Sequence, residues 1–162
     1  MNTVYILTGG NIGERFSNLE NAQKYLKDEI GKIERSSLIY ETAAWGNNDQ
    51  PDFYNQVHVI KTKLTAEKLM QVILKIEEKM GRIRTTKNAV RLIDIDILFY
   101  NNEIIDKAEL IIPHAEIPNR RFLLVPLNEL SPDMVHPLLN KSIAELLSTC
   151  KDMLRVTPVY SL

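Results

Sequence analysis

An α+β sandwich with the element order β-α-β-β-α-β is predicted by three observations. Two segments carry apolar residues at helical spacing, four others are rich in β-branched and aromatic residues, and they alternate in that order before residue 101. Residues 3–8 are β-branched and aromatic and stop at Gly9-Gly10, which reads as a tight turn into a helix. Phe16, Leu19, Ala22, Leu26 and Ile30 then recur every three or four residues and predict the first helix. Residues 32–41 read as one strand, and residues 42–51, with Gly, Asn, Asp and Pro, as a loop. Residues 54–63 predict another strand with Val57 and Val59 on one face.

Thr65 is the expected N-cap of the second helix, with Glu67 in its first turn. Leu69, Met70, Ile73, Ile76 and Met80 form its apolar stripe, which ends at Gly81. Residues 82–90 are basic and aperiodic, whereas residues 92–100 alternate as a strand before the Asn101-Asn102 turn. This is the order of a ferredoxin-like sandwich, in which two helices cover one face of an antiparallel sheet and leave the other available. From about Asp106 prolines punctuate the chain and predict a C-terminal extension of short strands and helices. It comprises a strand pair, short helices over residues 119–130 and a helix over residues 142–150.

The 162 residues, 44% hydrophobic and 25% charged, suit a single domain spanning 1–162. A net charge of −1 provides no basic surface for tracking nucleic acid or an anionic membrane. The single cysteine, Cys150, can form no intramolecular disulfide, which suits a reducing compartment. With no membrane-length apolar run and no basic, apolar leader, a cytoplasmic protein is expected.

Asp94 and Asp96 are two apart on a predicted strand, so both carboxylates leave one face with Cα atoms roughly 6.5–7 Å apart. Ile93, Ile95 and Ile97 point the other way. Paired carboxylates need water or a cation between them, and magnesium suits hard oxygen ligands. An isolated Asp-x-Asp also fits a solvated strand face, but Arg82, Arg84 and Arg91 lead into this one. Guanidinium groups grip phosphate oxygens bidentately, and cations beside paired carboxylates form a phosphoryl-transfer composition. The arginines would alternatively serve only to neutralise the aspartates.

Gly9-Gly10-Asn11-Ile12-Gly13 lacks the Lys-Ser/Thr of a phosphate-binding P-loop. His114 lies among further phosphate donors, whereas His58 and His136 read as structural, and no histidine pair has metal-ligand spacing. Trp45, Phe53, Tyr54 and Phe122 lie in or near loops, available for stacking on a planar ring or for core packing, and Asn55 offers both donor and acceptor. The residues alone point to magnesium-dependent transfer from a nucleotide to an unnamed acceptor.

Several motifs in order extend this reading across essentially the whole chain. They are Gly9-Gly10-Asn11-Ile12-Gly13, Asp49-Gln50-Pro51-Asp52-Phe53-Tyr54-Asn55, Ile76-Glu77 with Gly81-Arg82-Ile83-Arg84, Arg91-Leu92-Ile93-Asp94-Ile95-Asp96-Ile97, and Pro113-His114 with Asn119-Arg120. The set closely resembles the 6-hydroxymethyl-7,8-dihydropterin pyrophosphokinase family of folate biosynthesis. The resemblance implies that the acceptor's hydroxymethyl oxygen attacks the β-phosphorus of ATP and AMP leaves. It implies two magnesium ions on Asp94 and Asp96, with Arg82 and Arg91 catalytic beside them. Arg82, Arg91, His114 and Arg120 would contact phosphates, Arg84 would belong to a moving loop, and Glu77 to the nucleotide site.

For the pterin, the resemblance implies Asn55 and the backbone near Thr42 and Ala44 on the hydrogen-bonding edge, Phe53 and Phe122 against the ring, and Trp45 alongside. Loops near Asn11, 43–52 and 82–90 would close over bound ATP. The chain departs from the family pattern at Ala43, Asn88, Val90 and Ala115. The expected partners are ATP and hydroxymethyldihydropterin, bound by a monomer, and the competing reading is a non-catalytic ferredoxin-like binding module.

Overall fold

The computed structural model describes residues 1–44, 50–81 and 92–160. Strand β1 (Asn2–Gly10), helix α1 (Arg15–Glu29), strands β2 (Gly31–Ser36), β3 (Ile39–Thr42) and β4 (Phe53–Thr62), helix α2 (Ala66–Lys79) and strand β5 (Asp94–Tyr100) follow the expected order. They are followed by β6 (Ile105–Lys107), β7 (Leu110–Ile112), a 3₁₀ turn Ile117–Asn119, α3 (Arg121–Leu130), α4 (Ile143–Thr149) and β8 (Val156–Val159). The main sheet runs β5-β1-β4-β3-β8, with β2 also on β4, and its pairs are antiparallel. β6 and β7 form the expected separate strand pair.

Where one strand was expected over residues 32–41, two form. Ser37 breaks the run: its hydroxyl accepts from Val57 N (3.0 Å) and donates to the Leu38 carbonyl (2.7 Å), replacing a ladder position with side-chain bonds. Leu38 N in turn donates to Glu129 of α3 (3.0 Å). β8 is a further difference, because its four residues include Pro158, which argues against a strand from sequence alone.

Alternation along β1 builds two cores. Val4 and Ile6 pack with Leu19, Leu26, Leu69 and Ile73 beneath α1 and α2. Tyr5 and Leu7 join Val57, Val59, Leu123 and Leu127 under α3 and α4, so the second face, expected open, is covered over part of its length. A register shift pairs Tyr5 with Phe99 but Ile6 with Ile97, and this bulge sends Leu98 and Phe99 together into the second core. Thr65 caps α2 as expected, accepting from Lys68 N at 3.2 Å.

His58 of β4 is fully buried opposite Ile6 and Ser36, with Nδ1 2.7 Å from Ser36 Oγ. Burial pushes its pKa down from 6.5 to about 4. Between those values the unfolded chain binds a proton that the folded one refuses, so stability falls as pH drops from 6.5 towards 4. The full loss is on the order of 3 kcal/mol. Urea unfolding of the native chain and His58→Gln at pH 7.5, 6.5 and 5.0 should show a pH slope below 6.5 that is shallower in the variant, where buried His136, its pKa also lowered, still contributes; equal slopes would contradict it.

Candidate active site

Beyond the end of the second core, the same sheet face opens into a cavity of about 300 Å³. Cross-strand register assembles it. Gly9 of β1 faces Asp94 of β5 on one side and Asn55 of β4 on the other, and Asn55 faces Tyr40 of β3. One step inward, Leu7 lies between Asp96 and Val57. Asp94, Asp96, Gly9 and Asn55 therefore share one wall, and no side chain stands between the first carboxylate and the amide.

Gly9 and Gly10 are the last residues of β1 and not the turn expected there. A Cβ on Gly9 would collide with Asn55 Oδ1, so the buried amide lies over the glycine. A Cβ on Gly10 would meet the Leu92 carbonyl oxygen at 2.5 Å. The turn itself follows, with Gly13 at φ +66°.

Asp94 and Asp96 are half-buried, and Ile93, Ile95 and Ile97 point into the first core, as alternation required. Ile95 N–H, between the two aspartates, donates to Glu77 Oε2 of α2 at 2.9 Å. Glu77 is buried on the α2 side, where its carboxylate secures the strand and does not line the cavity.

Thr42 and Phe53, paired across β3 and β4, contribute the next part of the lining together with Ala43 and Gln50. Ala44 is buried beside them. Asn11 Nδ2 donates to the Pro51 carbonyl (3.1 Å) and lies 3.4 Å from Gln50 Oε1, tying the turn after β1 to the entry of β4. β3 is held by Tyr40, whose hydroxyl donates to Glu129 Oε1 at 2.6 Å. Burial, and then the Glu129 carboxylate, raise that phenol's pKa and keep it a donor.

Arg120 and Phe122 close the opposite side, with the guanidinium 4.8 Å from the ring centre. Of the expected site residues the cavity unites Thr42, Phe53, Asn55, Asp94, Asp96, Arg120 and Phe122. His114 follows β7 outside this lining: its N–H donates to the Leu98 carbonyl (3.0 Å) and its Nδ1 accepts from Glu116 N (3.2 Å). Tyr54 faces the other way, beneath the Arg15 guanidinium at 3.9 Å. Trp45, Arg82, Arg84 and Arg91, like Asn88 and Val90, lie outside the described residues.

Gly9, Leu7, Ala43 and Gln50 are lining residues that sequence reasoning missed. The unusual glycine pair carried a signal that was read as a turn, and Ala43 and Gln50 fell in the 43–52 loop expected to close over ATP but were given no place in the lining. Among the described residues no three His, Cys, Asp or Glu side chains converge on one point, and no helix is long and apolar enough to cross a membrane.

Residues 5–132 match the family model described as 7,8-dihydro-6-hydroxymethylpterin-pyrophosphokinase. The 2-amino-4-hydroxy-6-hydroxymethyldihydropteridine pyrophosphokinase of Aquifex aeolicus is 39% identical over 90% of this chain and 90% of its own length. The protein of the same name from Haemophilus influenzae is 36% identical over 98% of this chain and 100% of its own. The folic acid synthesis protein FOL1 of Dictyostelium discoideum is 38% identical over 86% of this chain, but the match spans only 21% of that longer protein. The wild-type HPPK-DHPS crystal structure from Plasmodium falciparum superimposes with a TM-score of 0.71 at 22% identity, covering 91% of this chain and 43% of that one. With the family match running from β1 past the end of α3, over the strands and helix that line the cavity, the chain belongs to the 7,8-dihydro-6-hydroxymethylpterin-pyrophosphokinase family.

Proposed function

We propose that this chain transfers a pyrophosphoryl group from ATP to the hydroxymethyl oxygen of 6-hydroxymethyl-7,8-dihydropterin, releasing AMP, in folate biosynthesis. The observation that carries the reading is the row Asp94, Gly9, Asn55, which sets a hydrogen-bonding amide and a carboxylate pair across an open strip of backbone. In the reaction the acceptor oxygen bonds to the β-phosphorus and loses its proton. The bond from that phosphorus to the oxygen bridging the α-phosphate breaks, and AMP takes the electron pair.

Asn55 supplies a donor and an acceptor to the pterin edge, with the backbone at Thr42 and Ala44 beside it. Phe53 and Phe122 hold the ring, with Trp45 alongside, so the hydroxymethyl arm points along the wall towards the aspartates. Arg120 meets the phosphates, and Arg82, Arg91 and His114 join it, with Arg84 serving the nucleotide side and Glu77 serving it through the Ile95 backbone that it secures between the aspartates. Asp94 and Asp96 fit magnesium by donor type and by facing the cavity together, leaving water and phosphate oxygens to complete its coordination. Two bound ions would neutralise triphosphate charge and polarise the attacked phosphoryl group. A cytoplasmic, monomeric enzyme with 1–162 as one pyrophosphokinase domain completes the reading. The single cysteine supports the location, and two cores sharing one sheet support the single domain.

Incubation with ATP, magnesium and hydroxymethyldihydropterin should yield AMP in proportion to pterin pyrophosphate. ADP would indicate ordinary kinase chemistry, and no nucleotide product would leave only a binding module. Asp94→Ala and Asp96→Ala should each lower turnover by about a hundredfold or more, with the melting temperature little changed. Near-native turnover in either variant would remove the metal assignment. Gly9→Ala displaces the Asn55 amide and should weaken pterin binding about tenfold while sparing ATP binding. Calorimetric titration of each substrate checks this, and unchanged pterin affinity would contradict the role given to Asn55.

A further inference from the structure

The segment after α4 crosses the corner of the cavity formed by residues 120–122. Its Asp152 side chain is 11% exposed and makes three approaches. Oδ2 accepts from the backbone N–H of Arg121, the first residue of α3, at 2.9 Å, and lies 3.9 Å from Arg120 Nε. Oδ1 accepts from Leu154 N at 3.0 Å and fixes the turn of the segment itself. The Leu154 carbonyl accepts from Arg121 Nε at 3.3 Å, a second tie between the two stretches.

α3 needs such a neighbour. Its N-cap position is Arg120, which makes no side-chain cap, and no acidic residue occupies its first turn. A guanidinium at the positive end of a helix is electrostatically misplaced, and this one is only 18% exposed. A carboxylate at that point answers both demands by accepting from a helix N–H that has no partner within the helix and by opposing the arginine's charge. Arg120 and Phe122 line the cavity, whereas Asp152 does not. Asp152 also lies outside the residues 5–132 that the family model matches.

We infer that Asp152 is a positioning residue: it caps α3 from the C-terminal segment and holds Arg120, over the Phe122 ring, aimed into the cavity. ATP affinity then depends on a carboxylate that touches neither substrate. The inference rests on the phosphate role given to Arg120 above.

A double-mutant cycle tests it, using Asp152→Asn, which keeps an acceptor oxygen and removes the charge, together with Arg120→Ala and the combined variant. Titration with a non-hydrolysable ATP analogue and magnesium, kcat/KM for ATP and thermal unfolding are measured for each. Asp152→Asn should weaken analogue binding and lower kcat/KM for ATP about tenfold, with Tm reduced by no more than about 4 °C. In the Arg120→Ala background the same change should have no further effect on either quantity. If Arg120→Ala weakens binding but Asp152→Asn adds its full loss on top, or loses activity only in step with Tm, Asp152 is structural and the inference fails alone. If Arg120→Ala leaves analogue affinity unchanged, the phosphate assignment falls and takes the inference with it.

Discussion

β1 is hydrogen-bonded on both sides and must serve two cores at once, and the rest of the molecule follows from that constraint. Because successive side chains leave opposite faces, Val4 and Ile6 commit one face to α1 and α2, while Tyr5 and Leu7 commit the other to α3 and α4. The second core runs out where β1 reaches Gly9, and the site begins at that step. The same alternation on β5 buries Ile93, Ile95 and Ile97 and leaves Asp94 and Asp96 no direction but towards the cavity. The Leu98–Phe99 bulge lets a continuous apolar run end in the second core without turning the aspartates away from the open face.

The stripe of α2 and the Asp94–Asp96 alternation were legible in the sequence because each is a local periodicity with one physical solution. Where the reading failed, the deciding partner lay far along the chain. Ser37 ends a strand because Val57 N–H donates to its hydroxyl and Glu129 accepts from the following backbone N–H, and a window around residue 37 contains neither partner. The glycines at 9 and 10 look like a turn until Asn55 and Leu92 are placed against them. Glu77 belongs with the aspartates through the backbone of Ile95 and not through the cavity, a distinction that spacing on a helix cannot make.

The site is also uneven in origin. Its amide stands on β4, where strands on both sides hold the backbone, whereas its carboxylates stand on β5, an edge strand paired to β1 and tied to α2 through Glu77. Arg120 and Phe122 come instead from the start of a helix that packs on the second face and is steadied by residues near the end of the chain. Side chains from four strands, one helix start and the residues joining β3 to β4 thus meet in one cavity.

β8 covers β3, which ends at Thr42 on the cavity's rim, and in doing so becomes the outer margin of the sheet. Pro158 sits in the middle of that margin, opposite Tyr40, and has no N–H to offer a newcomer. The strand that finishes the sheet therefore discourages stray pairing with other polypeptides, and it does so on the side where cavity-lining β3 would otherwise present bare backbone. Because Val156 of the same strand pairs with Thr42 on the cavity's rim, the residue that blunts the margin and the one that steadies the rim stand two apart on one short strand.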